Sequence, residues 1–186
     1  MSGATMRLVV LIATCTFIGG CAAERQPESL KTVAAFEVAL PSERDRNEFL
    51  SVLDAAAKLE GMHVDSIANA ELAREGNSNQ AFKQTMLAVV RRGSNDEDVI
   101  ASATDQLDHL GRIWILFSRG KVPAMATRFR NRAMREITLR WPGTLTLPIM
   151  PTGSIPVASD LVRTPTGYVV KPSEAHKYEN AAAEAH

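Results

Sequence analysis

Seven cationic side chains lie within twenty-two residues of this chain, between Arg119 and Arg140, and only Glu136 opposes them there. Arginine carries a planar fork of donors that suits carboxylates and phosphates. At helical spacing, Arg128, Arg132 and Arg135 share one face, beside an apolar stripe. The candidate binding patch comprises Arg128, Arg130, Arg132, Arg135 and Arg140. Two interpretations stay open: the patch pairs with acidic residues of the same chain or is solvated, or it binds an anionic partner.

No other set of residues is spaced for catalysis or for metal binding. The chain lacks a phosphate-binding glycine loop, since Gly76 and Gly93 stand alone, and Ser154 lacks the G-x-S-x-G context of a nucleophile elbow. Asp105 and Asp108 are three residues apart on a predicted helix, where such a pair is typical of a solvated face. The histidines are not spaced as metal ligands: His63, His109, His176 and His186. The sequence therefore predicts neither a catalytic site nor a metal, and no cofactor.

The first twenty-one residues, MSGATMRLVVLIATCTFIGGC, form a distinct segment. Arg7 supplies a positive charge, and an apolar run from Leu8 to Gly20 follows that is too short for a stable membrane span. The segment ends on Ile18-Gly19-Gly20-Cys21, in which two small residues precede a cysteine. A second cysteine, Cys15, lies inside the apolar run behind Thr14, a poorer residue for that position.

This leader resembles a bacterial lipoprotein signal peptide with its lipobox. The resemblance implies cleavage between Gly20 and Cys21, and attachment of three acyl chains to Cys21. One myristoyl chain alone gives only marginal membrane binding, so three would hold the protein on the membrane almost permanently. In the Gram-negative family an aspartate after the cysteine favours retention in the inner membrane. Because Ala22 stands there, we expect an outer-membrane protein that faces the periplasm.

Charge and cysteine content narrow the partners further. The chain has 21 basic and 21 acidic residues, so no global field selects nucleic acid as a partner. Residues 21–118 carry a net charge of −6 and residues 119–186 a net charge of +5, counted as 10 basic against 16 acidic and 10 against 5. If Cys15 leaves with the leader and Cys21 is acylated, no thiol remains for a disulfide or for nucleophilic catalysis.

The remaining chain predicts an α+β fold. Its hydrophobic periodicity gives strand 32–40, helix 42–59, strand 85–92, helix 94–110 and strand 113–117. Residues 63–74 fit neither period cleanly, and we assign them to a strand because a turn cluster at 76–79 and strand 85–92 follow them. Capping boxes at Ser42 with Asp45 and at Ser94 with Glu97 mark the two helix starts. This order resembles the ferredoxin-like βαββαβ fold, a two-layer domain with both helices on one face of an antiparallel sheet.

The composition of the sequence changes after residue 120, where a basic segment and then a proline-rich segment follow. Pro123 begins a short helix to about Arg135, alternation of Ile137, Leu139 and Trp141 predicts a further strand, and a Pro-rich extended C-terminal arm follows. Whether the arm wraps its own domain or a partner stays open. The predicted segments are the signal peptide 1–20, a lipidated tether 21–31, the ferredoxin-like domain 32–120, the basic helix, strand and arm 121–178, and a disordered tail 179–186.

These observations favour a lipid-anchored, non-catalytic binding protein of the cell envelope, one form of which is an inhibitor or immunity-type lipoprotein. Its partners would be the membrane, through the acyl chains on Cys21, and an envelope protein, with no nucleic acid. The alternatives are a structural subunit of an envelope or secretion assembly whose arm adds a strand to a neighbour, and a hydrolase that uses carboxylates. The oligomeric state stays open.

Substitution Cys21→Ser should abolish lipid attachment, because serine lacks the thiolate nucleophile that acylation needs. The domain should still fold, and the chain should accumulate as an unprocessed precursor. Metabolic labelling with a fatty-acid analogue, followed by membrane fractionation, measures both outcomes. Equal labelling of the wild type and Cys21→Ser, or loss of label in Cys15→Ser instead, would show that the anchor lies elsewhere.

Overall fold

The computed structural model describes residues 27–66, 85–93, 98–105 and 111–178. The predicted cleavage site at Gly20 and Cys21, the Ser94–Glu97 capping box and the tail 179–186 lie outside these residues, as do Asp108 and two of the histidines. The described helices and strands are β1 (Thr32–Ala39), α1 (Glu43–Lys58), β2 (His63–Ser66), β3 (Thr85–Arg91), β4 (Val99–Asp105), β5 (Arg112–Ser118), α2 (Pro123–Arg140), β6 (Leu145–Thr146), β7 (Leu161–Arg163) and β8 (Tyr168–Val170).

A six-stranded antiparallel sheet organises these elements, in the order β2-β3-β4-β5-β1-β6, and β7 and β8 form a separate hairpin. The α+β class is confirmed. Strand β1 lies between β5 and β6 and is antiparallel to both, so β5 and β6 run in the same direction. Helix α1 connects β1 to β2 at the opposite side of the sheet, and helix α2 connects β5 to β6.

The helix predicted over 94–110 is wrong across 99–105, where the chain forms β4. The stripe of Val99, Ile100 and Ala103 fits a helix, but β-branched residues also favour strands. Here β3 and β5 both hydrogen-bond to β4, and this pairing outweighs the weak local preference. Among the described elements, the strands β2, β3, β4 and β5 follow α1, so the ferredoxin-like βαββαβ order is not confirmed.

Helix α2 is longer than predicted and includes residues 137–140, for which the sequence predicted a strand. Its buried residues Ala126, Phe129, Ala133 and Ile137 continue one helical stripe through the whole segment. The apparent alternation was misleading, because Leu139 is 72% exposed and Trp141 follows the helix and packs edge-on against Phe49 of α1.

The main core lies between the sheet and the two helices. Alternate residues of β1 point into it, including the fully buried Val38, and meet Phe49 of α1 and Phe129 of α2. Helix α1 begins as predicted: Ser42 accepts from the backbone of Asp45, and the Asp45 side chain accepts from the backbone of Ser42. At Gly111 a positive φ of 65° precedes β5, and a Cβ there would collide with the backbone of Leu40.

The C-terminal arm covers the other face of the sheet and so wraps its own domain. Ala35 and Trp114 on the sheet form a second cluster with Leu147 and Leu161 of the arm. Backbone hydrogen bonds also attach the arm to the sheet. The Leu147 N–H donates to the Ala35 carbonyl at 2.9 Å, and Thr146 forms a β-bridge with Gly167. The sheet is thus enclosed between a helical layer and an extended layer.

Substitution Phe129→Ala should lower the free energy of unfolding by about 3–5 kcal/mol, because it empties a large buried site between α2 and the sheet. Thr127→Ala, at an exposed position of the same helix, is the matched control and should change stability by less than about 0.5 kcal/mol. Urea unfolding followed by circular dichroism measures both. Equal effects of the two substitutions would mean that α2 does not pack on this core.

Candidate functional site

The five arginines of the candidate patch all lie on α2, but the structure does not leave them as one cationic surface. The Arg128 Nε donates to Glu60 Oε2 at 2.9 Å, and Arg132 lies 3.9 Å from the same carboxylate. The Glu60 side chain is only 7% exposed. Since Glu60 follows the end of α1, this pair of arginines ties the two helices together.

Arg140 makes a second tie at the other end of the helix pair. Its Nη1 donates to Glu136 Oε2 at 2.7 Å, and its Nε lies 3.2 Å from Glu48 Oε1 on α1. The hydrogen bond from Arg140 lowers the pKa of the Glu136 carboxyl. Because Glu60 lies against the first half of α2 and Glu48 against its last turn, the two helices are antiparallel.

Arg135 and Arg130 are the least engaged of the five. The nearest carboxylate oxygen to Arg135 Nε belongs to Glu136, at 3.6 Å, and the Arg135 side chain is 67% exposed. Arg130 is half-buried, and no described carboxylate forms an ion pair with it. The structure thus favours the interpretation in which most of the predicted patch pairs with acidic residues of the N-terminal half.

A groove of about 330 Å³ runs between α1 and α2 on the solvent side of the helical layer. Its floor is apolar and is formed by α1, from Val52, Ala55, Ala56 and Leu59. Leu59 is 65% exposed, so the apolar surface continues to the groove end. Its polar rim consists of Glu48, Ser51, Arg132, Arg135, Glu136 and Arg140. Three cations against two carboxylates leave the rim positive.

The groove holds carboxylates from both helices, as an acid/base site would, but their electrostatics oppose that chemistry. Glu48 and Glu136 both contact Arg140, and the lowered pKa of Glu136 keeps it ionised. A general acid needs a raised pKa. The site is suited to holding an anion beside an apolar group, with Arg135 as the available donor.

Two further carboxylates are buried where the arm meets the domain. Glu37 of β1 accepts from the Trp114 indole at 3.0 Å and from the Tyr168 hydroxyl at 2.7 Å. Burial, and then the hydrogen bond to Glu37, raise the pKa of Tyr168. Asp160 accepts from the Tyr178 hydroxyl at 2.8 Å and from Lys177 at 3.2 Å. Glu37 binds the arm to the sheet, whereas Asp160, itself in the arm, binds Lys177 and Tyr178 to the rest of the arm.

The remaining sequence candidates are dispersed. Asp105 ends a strand, not a helix, and pairs with Arg46 of α1. His63 lies on β2 with Asp65 3.7 Å away, and His176 is exposed. Within the described ranges, no three metal-binding side chains cluster, and no helix has the length and apolarity needed to cross a bilayer.

Sequence reasoning missed both anionic partners of the patch and the groove itself. Glu48 and Glu60 lie 68 or more residues from the arginines that they contact. One indication of the groove was visible in the sequence: Ser51 and Ala55 are small residues on one face of α1, and this face does not contribute to the core.

Substitution Asp160→Asn should loosen the arm in a pH-dependent way. The Tyr178 hydrogen bond and Lys177 lower the pKa of Asp160 in the folded protein. Its contribution to stability is therefore fully present above the ordinary aspartate pKa and is lost as the pH falls through the lowered folded value. Wild type should resist limited proteolysis of the arm better than Asp160→Asn at neutral pH, and this difference should shrink as the pH falls below the ordinary aspartate pKa of about 3.9. A pH-independent difference would contradict the assignment.

Comparison with family models, with curated proteins and with solved structures gave no match to this chain. No relative's activity bears on the groove, whose chemistry rests on its own residues and charges.

Proposed function

We propose that this chain is a lipid-anchored, non-catalytic binding protein of the cell envelope, and that a protein partner docks in the groove between α1 and α2. The observation that carries the proposal is the groove itself, an apolar floor with an exposed, weakly engaged Arg135 on its rim. The leader's Ile-Gly-Gly-Cys ending supports the anchor at Cys21.

The chemistry of the groove defines the kind of partner segment that fits. Ala55 and Ser51 are small, so a neighbouring backbone can approach α1 closely. Leu59 and the floor offer apolar contact, while Arg135 offers a fork to a carboxylate. A segment that presents an apolar side chain next to an acidic one satisfies both, in the manner of groove-binding peptides. An inhibitor or immunity-type lipoprotein is one form of such a protein.

Two alternatives receive less support. A subunit that donates its arm to a neighbour would need that arm free, whereas residues 145–178 pack on their own sheet. A carboxylate hydrolase would need an acid with a raised pKa, whereas Arg140 lowers that of Glu136.

Photo-crosslinking in living cells tests the groove. A photoreactive phenylalanine analogue at Ala55 should form a protein adduct, while the same analogue at Thr127, an exposed position of α2 that does not line the groove, should not. Substitution Arg135→Glu should reduce the Ala55 adduct about tenfold or more, since removing a charge-assisted contact and adding repulsion costs more than about 1.4 kcal/mol.

Arg130→Glu provides the matched control, because Arg130 lies on the same helix but does not line the groove. It should leave the Ala55 adduct unchanged. Equal adducts at Ala55 and Thr127, or equal sensitivity to the two charge reversals, would mean that the groove is not the docking site.

A further inference from the structure

The segment that enters the domain from Cys21 is bound tightly at one place. The Arg119 N–H donates to the Lys31 carbonyl at 2.9 Å, and the Gly120 N–H donates to the Ser29 carbonyl at 2.8 Å. Arg119 Nη1 also donates to Glu28 Oε1 at 2.5 Å. Residues 28–31, assigned to the tether from sequence, therefore lie against the loop between β5 and α2.

The turn at Gly153 holds the same segment from the other side. Gly153 has a φ of 86°, and a Cβ added there would press on the side chain of Lys31 and the backbone of Thr32. With residues 28–31 held between two loops, the stretch from Cys21 to Pro27 is what remains to reach the membrane. These seven residues span at most about 25 Å when fully extended.

The residues around this point form one surface, the N-terminal pole, defined as residues 28–31 and 119–124, of which Glu28, Arg119 and residues 121–124 are exposed. It carries the basic side chains of Lys31, Arg119 and Lys121, and Glu28 pairs with both Lys31 and Arg119. Val122 is 39% exposed beside them. Asp98, which precedes β4 at this end of the sheet, is buried. Basic side chains beside an exposed aliphatic one suit a position next to anionic headgroups.

Helix α2 leads away from this pole. The helix begins at Pro123, next to the pole. After its far end, Trp141 packs against Phe49 of α1. Since α1 follows the end of β1 and the pole adjoins the start of β1, this contact lies at the opposite end of the domain. Eighteen residues make the helix about 27 Å long, more than the extended tether can reach. Arg135 and Arg140 of the groove lie on its distal half.

We infer that the N-terminal pole rests against the anionic headgroups of the membrane that carries the acyl chains, and that the half of the α1–α2 groove with Arg135 and Arg140 consequently lies away from that membrane. This inference rests on the proposed anchoring at Cys21. On this inference the short tether orients the domain, because it keeps the N-terminal pole next to the lipid and leaves the groove available to the partner.

Fluorescence quenching on the full acylated chain, purified in detergent and reconstituted into vesicles of phosphatidylethanolamine and phosphatidylglycerol, tests the orientation. Since Cys15 leaves with the leader and Cys21 is acylated, a cysteine introduced at an exposed site is the single free thiol for a fluorescent probe. Ala124→Cys places the probe in the first turn of α2 and Leu139→Cys in the last, about 23 Å apart along the axis.

Lipids with a headgroup nitroxide should quench the probe at residue 124 about threefold more than the probe at residue 139, because such quenching acts only over short distances relative to the length of α2. A Gly/Ser insertion of about twenty residues between Ala23 and Glu24, which behaves as a random coil, should reduce this difference.

Equal quenching at both positions, or stronger quenching at residue 139, would overturn the orientation while fatty-acid labelling at Cys21 leaves the anchor intact. Absence of fatty acid on Cys21 would instead overturn the anchor, and the orientation with it. Loss of the Ala55 adduct alone would remove the groove and leave the membrane-facing pole standing.

Discussion

Strand β1 is covered on both faces, and the rest of the fold is arranged around that constraint. Its main-chain groups pair with β5 on one side and β6 on the other, so it has no free edge where those strands extend. One face meets the two helices and the other meets the arm. A two-layer domain of this length would leave the second face wet, and the proline-rich segment supplies the missing layer.

The carboxylate on β1 shows what this enclosure demands chemically. Glu37 is 5% exposed, and a buried carboxylate without partners is strongly unfavourable. The Trp114 indole and the Tyr168 hydroxyl satisfy it, one from the sheet and one from the arm. The arm therefore reaches its position through hydrophobic contact and is fixed there by polar groups that a slipped arm would leave unpaired.

The arginines of α2 include those that form ion pairs with α1 and one that remains largely exposed. Glu60 and Glu48 engage arginines at the two ends of the helix pair, so these cations brace α1 against α2. Arg135 keeps an exposed guanidinium above an apolar groove. The proposed membrane-facing surface at the N-terminal pole and the proposed docking groove therefore involve different residues of the domain.

The sequence by itself determined the elements whose signals are local. Alternation identified β1 with its two opposed faces, the Ser42–Asp45 capping box identified the start of α1, and apolar runs identified β3 and β5. These features depend on side-chain periodicity and on hydrogen bonds within one turn. The candidate arginines were likewise visible as a charge cluster, with Arg128, Arg132 and Arg135 on one helical face.

Only the tertiary structure decided the features that depend on distant neighbours. Residues 99–105 became a strand because β3 and β5 offered hydrogen bonds on both sides, which outweigh a propensity difference well below 1 kcal/mol per residue. Residues 137–140 are helical because the helical conformation buries Ile137 in the core. The arginines lost most of their free charge because Glu48 and Glu60 lie beside them in space, a pairing that no spacing along the chain records.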